Sequence, residues 1–197
     1  MDILCYNHLY GYQTNRCTKP MRIGVMCSGN GTNFENIVRT CKNDEVVLMI
    51  HNKKKCGAAD KADKLGIVRC PVKAKHEDQI VQLFEAYRVD VIVLAGWMRI
   101  VHDTLLKAYP NKIINVHPSL LPKYKGLNAV EQALESGDKE TGCTVHFVNE
   151  ELDGGQIILQ GKVPIEPNDT VKSLTRRIQL KEYEILPQAI EYVKYTI

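Results

Sequence analysis

Short apolar runs alternate with amphipathic stretches along the first two thirds of the chain, and this alternation is the feature that most limits the fold. The runs RIGVMC (22–27), EVVLMI (45–50), IVRCPV (67–72) and VDVIVLAG (89–96) have the composition of strands. The segments between them place apolar residues at helical spacing, as in EDQIVQLFEAY (77–87). Strands that are apolar at nearly every position are buried on both faces, as in parallel sheets covered by helices. The pattern therefore predicts an α/β fold with a doubly wound, Rossmann-like, mostly parallel sheet.

The pattern changes in the last third of the chain. CTVHFV (143–148) and QIILQGKVPI (156–165) face each other across the turn NEELDGG, which predicts an antiparallel C-terminal strand pair. A long C-terminal helix is predicted over about residues 170–195, with an interruption near Pro187 because proline lacks a backbone N–H.

Composition and periodicity limit the organisation and the partners. Residues 1–20 show no clear periodicity and are predicted to be a poorly structured N-terminal extension, so that residues 21–197 form one domain. The formal net charge of +3 is too small for a nucleic-acid footprint, and no apolar run reaches the roughly 18 residues of a membrane span. Seven cysteines without a C-x-x-C motif indicate reduced thiols in the cytoplasm and no zinc site.

The segment CSGNGTN follows the first predicted strand and opens a helix, a position where backbone N–H groups bind phosphate. The dinucleotide fingerprint G-x-G-x-x-G fails, because Phe34 stands in place of the third glycine. A phosphate monoester is therefore favoured over a nicotinamide cofactor, with Gly31, Thr32 and Asn33 as donors. A plain strand-to-helix turn capped by Thr32 or Ser28 is the competing interpretation.

Asn115 and His117 stand together at the end of an apolar run in the sequence IINVHP. Alternation along a strand places both side chains on one face, and ligands of open α/β sheets bind beyond the carboxyl ends of the strands. An asparagine amide and a protonated histidine are both hydrogen-bond donors, so the pair can stabilise a developing oxyanion, and His117 can pass on a proton. A histidine bonded only to backbone is the structural alternative.

Asp153, in the turn ELDGG, is the expected carboxylate that favours the charged form of His117. The two glycines after it are expected to let the turn pack closely against a ligand. An aspartate in a hairpin turn is also common without any catalytic role. A metal site of His117, His146 and Asp153 is disfavoured because Asn115 would have no part in it.

These motifs occur together in one known family. The chain resembles the phosphoribosylglycinamide formyltransferase family, folate-dependent enzymes of purine biosynthesis, in five segments: SGNGTN (28–33), VIVLAGWMRI (91–100), NVHPSLLPKYKG (115–126), QALESGDKETGCTVHFVNEELDGGQIILQ (132–160) and KVPI (162–165). The resemblance extends over residues 21–197. It implies transfer of the formyl group of 10-formyltetrahydrofolate to the amine of phosphoribosylglycinamide.

The resemblance also implies roles for individual residues. The catalytic residues that it implies are Asn115, His117 and Asp153. The substrate-binding residues are Gly31, Thr32 and Asn33 for the phosphate and Glu182 for the amine. The residues implied for the folate are Met98, Arg99, Ile100, Val101, Asn115, Asn149, Glu150, Glu151, Leu152 and Asp153. The protein is expected to be a cytoplasmic monomer or homodimer that binds small molecules, without metal, nucleic acid or membrane.

The chain departs from the family pattern in two places. Many members read KYPGLHTH where this chain reads KYKGLNAV, so that Lys125 replaces a proline, and Asn128 and Val130 replace two histidines. The arginine that holds the glutamate tail of the folate in some members has no counterpart among residues 73–76. Tail recognition is therefore unassigned.

Three other activities compete with this interpretation. Methionyl-tRNA formyltransferase needs an RNA-binding domain, and formyltetrahydrofolate hydrolase carries an N-terminal regulatory domain; a chain of 197 residues is expected to accommodate neither. A non-catalytic phosphate-binding module accounts for the glycine turn and leaves the Asn–His–Asp set without a purpose. The identity of the formyl acceptor separates all of these.

Overall fold

One seven-stranded sheet organises the protein. The structure is a computed structural model that describes residues 19–197, and the strand order is β3-β2-β1-β4-β5-β6-β7. The strands are β1 Arg22–Cys27, β2 Glu45–His51, β3 Arg69–Pro71, β4 Val91–Leu94, β5 Ile113–His117, β6 Glu140–Phe147 and β7 Ile157–Pro164. Pairings among β1 to β5 are parallel, whereas β5 with β6 and β6 with β7 are antiparallel. The predicted fold class is confirmed.

Helices cover both faces of the sheet. In the described part of the chain they are α1 Thr32–Thr40, α2 Gly57–Leu65, α3 Glu77–Ala86, α4 Asp103–Ala108, α5 Ala129–Glu135 and α6 Val171–Lys194. One apolar core packs α1, α2 and α6 against the sheet, and a second core packs α3 and α4 against its other face. All four residues of β4 are buried because helices cover both sides of it, as the continuous apolar run predicts.

Several strand boundaries differ from the apolar runs, and β3 and β6 are two examples. β3 is limited to Arg69–Pro71, although the apolar run IVRCPV predicts a strand over 67–72, because only these residues pair with β2. β6 begins at Glu140, three residues before the predicted start at Cys143. Glu140, Thr141 and Gly142 pair with Pro164, Val163 and Lys162, so the partner strand extends β6 through residues with no strand-like alternation.

The predicted interruption of the last helix is wrong, because α6 continues through Pro187 from Val171 to Lys194. A proline in a helix leaves the carbonyl four residues earlier without its N–H donor. That carbonyl belongs to Tyr183, and it accepts a hydrogen bond from Asn36 Nδ2 of α1 at 2.9 Å. A side chain distant in sequence thus replaces the missing donor.

The expected N-terminal extension lies outside the described residues apart from Lys19 and Pro20. The Met21 N–H donates to Asp44 Oδ1 at 2.8 Å.

Within residues 19–197 no helix has both the length and the apolarity to cross a membrane. The five cysteines that the structure describes are all unpaired.

Candidate active site

The paired polar residues of β5 face away from one of the two cores. Ile114 and Val116 lie in the core shared with α1 and α6, so alternation turns Asn115 and His117 to the other face. Asn115 lies opposite His146 of β6 in the strand register. His117 is 5% exposed and His146 is 2% exposed. The sheet itself therefore brings two buried histidines and a half-buried asparagine together.

The turn between β6 and β7 carries Asp153 over this group. Asp153 Oδ2 lies 3.4 Å from His117 Nδ1, and the same oxygen accepts a hydrogen bond from the Gly126 N–H at 2.8 Å. Asp153 has a φ of 49°, in the left-handed region that aspartate tolerates better than most residues. A side chain at Gly155 would collide with the Phe147 carbonyl oxygen, so the protein's own backbone accounts for this glycine.

His117 faces an acceptor on each ring nitrogen. Its Nε2 lies 2.8 Å from the Tyr124 carbonyl oxygen, which can only accept, so Nε2 carries a hydrogen. Its Nδ1 faces the Asp153 carboxylate. The doubly protonated imidazolium satisfies both neighbours. The structure thus brings together the three residues predicted to be catalytic, in the arrangement in which a carboxylate supports a charged histidine.

His146 is a fourth member of the cluster that sequence reasoning did not select. Its Nδ1 lies 2.8 Å from the Phe147 carbonyl oxygen, and its Nε2 lies 3.2 Å from Asn115 Nδ2 and 3.6 Å from Asp153 Oδ1. Nε2 serves one of these neighbours at a time. A neutral ring accepts from the Asn115 amide, and a protonated ring donates to Asp153. Its position opposite Asn115 depends on the register of β6 against β5, which the sequence does not show.

The carboxylate of Asp153 stays ionised although its side chain is only 7% exposed. Burial by itself raises the pKa of Asp153. The His146 imidazole, the Gly126 N–H and the charge of His117 outweigh burial and hold the pKa below its ordinary value. Asp153 is therefore a negative charge over the physiological pH range.

The glycine turn leaves the first N–H groups of α1 without a side-chain cap. The N-cap residue is Gly31, with a φ of 69°, and neither Thr32 nor Ser28 caps the helix. A Cβ on Gly31 would lie 2.5 Å from Ala58 Cβ, so α2 presses directly against the turn. Uncapped N–H groups at a helix N-terminus suit an anion.

Glu182 of α6 lies beside the start of α1, where the Asn33 side chain meets it. Asn33 Nδ2 donates to Glu182 Oε2 at 2.8 Å, and the buried Asn33 Oδ1 has no partner among the described residues. Burial raises the pKa of Glu182 to about 7, and the hydrogen bond from Asn33 opposes this only in part. Burial and the nearby charge of Glu182 raise the pKa of Cys143 to about 12. Of these two groups, Glu182 is the one with a pKa near neutral.

The segment after β4 is exposed, and it is tied to the protein at both of its ends. Met98 and Ile100 are 57% and 63% exposed. The Met98 N–H donates to Ser28 Oγ at 2.9 Å. At the other end, the N–H groups of His102 and Leu105 donate to the buried Glu77 carboxylate at 2.8 and 3.2 Å. Ser28 and Glu77 are residues of this region that sequence reasoning missed, because both act on partners far along the chain.

The family departures have local explanations. Val130 is buried in the core with α6, and Asn128 adopts a φ of 59° at the N-cap of α5. Lys125 Nζ lies 2.6 Å from Glu151 Oε1 and joins the loop after β5 to the β6–β7 turn.

In the β6–β7 turn Leu152 is 57% exposed. Apolar surface is therefore present on both segments implied for folate.

The predicted catalytic residues and the pair Asn33 and Glu182 form two separate groups. Asn115, His117 and Asp153 form the first group with His146. Asn33 and Glu182 form the second, and among residues 19–197 no hydrogen bond joins it to the first. No set of three or more His, Cys, Asp and Glu side chains in the described residues is arranged to hold a metal ion.

Residues 21–190 match a family model described as formyl transferase, and the chain belongs to this family. The phosphoribosylglycinamide formyltransferase of Haemophilus influenzae is 40% identical over 186 residues, which cover 87% of this chain and 86% of that protein. The trifunctional purine biosynthetic protein adenosine-3 of Homo sapiens is 39% identical over 186 residues, 89% of this chain and 18% of that protein.

The fold also matches a solved structure of the same kind. The crystal structure of glycinamide ribonucleotide transformylase 1 from Symbiobacterium toebii superposes with a TM-score of 0.88 at 37% sequence identity. The match covers 95% of this chain and 93% of that chain.

Proposed function

We propose that the protein transfers the formyl group of 10-formyltetrahydrofolate to the amine of 5′-phosphoribosylglycinamide, a step of de novo purine biosynthesis. The products are 5′-phosphoribosyl-N-formylglycinamide and tetrahydrofolate. The observation that carries the proposal is the cluster of Asn115, His117 and Asp153 in a member of the formyl transferase family. The similarity to phosphoribosylglycinamide formyltransferases over most of both chains supports the choice of acceptor.

The two ends of the ribonucleotide bind at neighbouring sites that share Asn33 in this proposal. The phosphate binds at Gly31, Thr32 and Asn33, where the N–H groups of α1 lack a side-chain cap. The amine binds at Glu182, next to the unpartnered Asn33 Oδ1, and both oxygens accept hydrogen bonds from an amine. One helix thus contributes to both ends of the substrate site.

The folate lies between the exposed segment after β4 and the β6–β7 turn. The residues that line it are Met98, Arg99, Ile100 and Val101 on one side, and Asn149, Glu150, Glu151, Leu152 and Asp153 on the other. Exposed apolar side chains on both segments suit a flat, partly apolar ring system. Asn115 completes this site next to the reacting carbon.

The reaction begins when the neutral amine nitrogen attacks the formyl carbon. A C–N bond forms, and the carbonyl π electrons move to oxygen, so that a tetrahedral intermediate with an oxyanion results. Asn115 and the charged His117 donate hydrogen bonds to this oxygen, which carried no negative charge in the substrate. The bond from carbon to N10 then breaks, and a proton from the attacking nitrogen reaches N10 with the help of Asp153.

His117 needs a free donor for this role. Its Nε2 hydrogen is engaged by the Tyr124 carbonyl, so the loop that carries Tyr124 exchanges this contact for the oxyanion when both substrates are bound. Asp153 holds the same loop through the Gly126 N–H. The charge of Asp153 therefore serves both the histidine and the loop.

The remaining features of the proposal concern partners and location. The protein is proposed to act in the cytoplasm as a monomer or homodimer on small-molecule substrates. It is proposed to need no metal ion and to bind neither nucleic acid nor membranes. Residues 1–20 are proposed to form an extension outside the catalytic domain of residues 21–197.

A formyl-transfer assay with purified protein tests the function. Tetrahydrofolate formation from 10-formyltetrahydrofolate is followed with and without phosphoribosylglycinamide. Formate is measured in the same reactions. The proposal expects turnover that depends on the ribonucleotide, yields no formate and is unchanged by a chelator. Equal turnover without the ribonucleotide would assign a hydrolase instead, and formylation of methionyl-tRNA alone would assign the tRNA enzyme.

A further inference from the structure

Two asparagines of α1 hold two consecutive residues of α6. Asn33 Nδ2 donates to Glu182 Oε2 at 2.8 Å, and Asn36 Nδ2 donates to the Tyr183 carbonyl oxygen at 2.9 Å. Asn33 and Asn36 are three residues apart and share one face of the helix. The contact between α1 and α6 is otherwise part of an apolar core. These two hydrogen bonds are therefore the directional contacts between the helices.

Pro187 makes the Tyr183 carbonyl available to Asn36. In an uninterrupted helix this carbonyl would accept the N–H of residue 187, and proline has none. α6 remains helical on both sides of Pro187. The amide of Asn36 occupies the vacant acceptor, so the helix is continuous and the carbonyl is satisfied.

We propose that Asn36 and Pro187 are positioning residues for substrate binding, which set the rotation and the axial position of α6 against α1 and thereby place the Glu182 carboxylate. Glu182 precedes Tyr183 directly, so a shift of the Tyr183 backbone moves Glu182 with it. The same helix α1 offers its N-terminal N–H groups at Thr32 and Asn33. The hydrogen bond from Asn36 to the Tyr183 carbonyl therefore defines the distance between the phosphate end and the amine end of the site. This inference rests on the proposed function for the identity of the ligand, and on the contacts alone for the placement of Glu182.

A double-variant cycle separates positioning from stability. In Asn36→Ala, the Tyr183 carbonyl loses its donor, and the variant should be less stable than the wild type. In Asn36→Ala combined with Pro187→Ala, the new N–H of residue 187 satisfies the carbonyl within α6. Stability should then return to the wild-type value or exceed it, because alanine is also the better helix former. The hydrogen bond between α1 and α6 at residue 36 is still absent in the double variant.

The expected kinetic result is a split between the two substrates. The double variant should show a KM for phosphoribosylglycinamide raised about tenfold, the worth of one hydrogen bond to a positioned group, with the KM for 10-formyltetrahydrofolate unchanged. Arg39→Ala is the matched control, because Arg39 lies on α1 and pairs with Glu35 of its own helix. It should leave both KM values unchanged. Recovery of the ribonucleotide KM together with stability in the double variant would overturn the inference.

A second measurement does not depend on the identity of the substrate. The carboxyl carbon of Glu182 is titrated by NMR in the ligand-free protein, in the wild type, the double variant and Arg39→Ala. The positioning role expects a different titration midpoint in the double variant and an unchanged one in the control. A midpoint equal to the wild type in the double variant would refute the placement of Glu182 by Asn36, even if the proposed reaction were wrong.

Discussion

Replacement of Glu182 by glutamine should stabilise the ligand-free protein, and more strongly at high pH than at low pH. Glu182 is 6% exposed, and burial raises its pKa from the ordinary 4.5 to about 7. Because the folded state holds this proton more tightly than the unfolded state, the free energy of unfolding falls as pH rises from about 4.5 to about 7. Above that range the whole cost of the buried charge is present, and a neutral glutamine avoids it.

The size of the effect follows from the same two values. A difference between 4.5 and about 7 corresponds to about 3 kcal/mol, at about 1.4 kcal/mol for each pKa unit. Glu182→Gln should therefore exceed the wild type by about 3 kcal/mol in the free energy of unfolding at pH 8.5, and by less than about 1 kcal/mol at pH 5. The glutamine oxygen can still accept from Asn33 Nδ2, and its amide can donate to the unpartnered Asn33 Oδ1.

Urea unfolding followed by circular dichroism at pH 5 and pH 8.5 measures this difference. Glu184→Gln is the control, because Glu184 lies on the same helix with an exposed side chain that pairs with Lys181 at the surface. It should change the free energy of unfolding by less than about 1 kcal/mol at either pH. An equal effect of Glu182→Gln at both pH values would refute the assignment of a buried, titrating carboxyl.

Three further predictions concern the other parts of the site. The first prediction is that kcat falls by about 10² to 10³, with small changes in folate KM, in each of Asn115→Ala, His117→Ala and Asp153→Ala, because each removes a contact that acts in the transition state. Steady-state kinetics on the folded variants measures this. A near-normal kcat in His117→Ala would contradict it. Glu77→Ala should raise the folate KM several-fold and leave the ribonucleotide KM unchanged, because it frees the N–H groups of His102 and Leu105; Glu77→Gln, which keeps an acceptor, should rescue part of the loss. Gly31→Ala should lower the free energy of unfolding by roughly 2 kcal/mol, because it adds a Cβ at a positive φ against Ala58, and thermal or urea unfolding measures the loss.

The fold class was accessible from the amino-acid sequence because its signals are local, and residue chemistry was enough to select the three residues predicted to be catalytic. The apolar run of residues 89–96 predicts a strand buried on both faces, and β4 is buried at every position. Alternation along β5 placed Asn115 and His117 on one face without any knowledge of the sheet. The pairing of His117 with Asp153 rested on residue chemistry, and the distance of 3.4 Å agrees with it.

Tertiary structure decided the contacts that join distant parts of the chain. His146 meets Asn115 only because β6 pairs with β5 in one particular register, although the two residues are 31 positions apart in the chain. The bond between Asn33 and Glu182 spans 149 residues, and the raised pKa of Glu182 comes from burial between packed elements. Pro187 shows the difference most clearly. The proline by itself predicts a broken helix. The helix continues, and Asn36 donates to the carbonyl that the proline leaves open, which belongs to Tyr183, 147 residues from Asn36. The local propensity of a segment depends on its neighbouring residues, whereas the Asn36 amide reaches the Tyr183 carbonyl only after the two helices have packed.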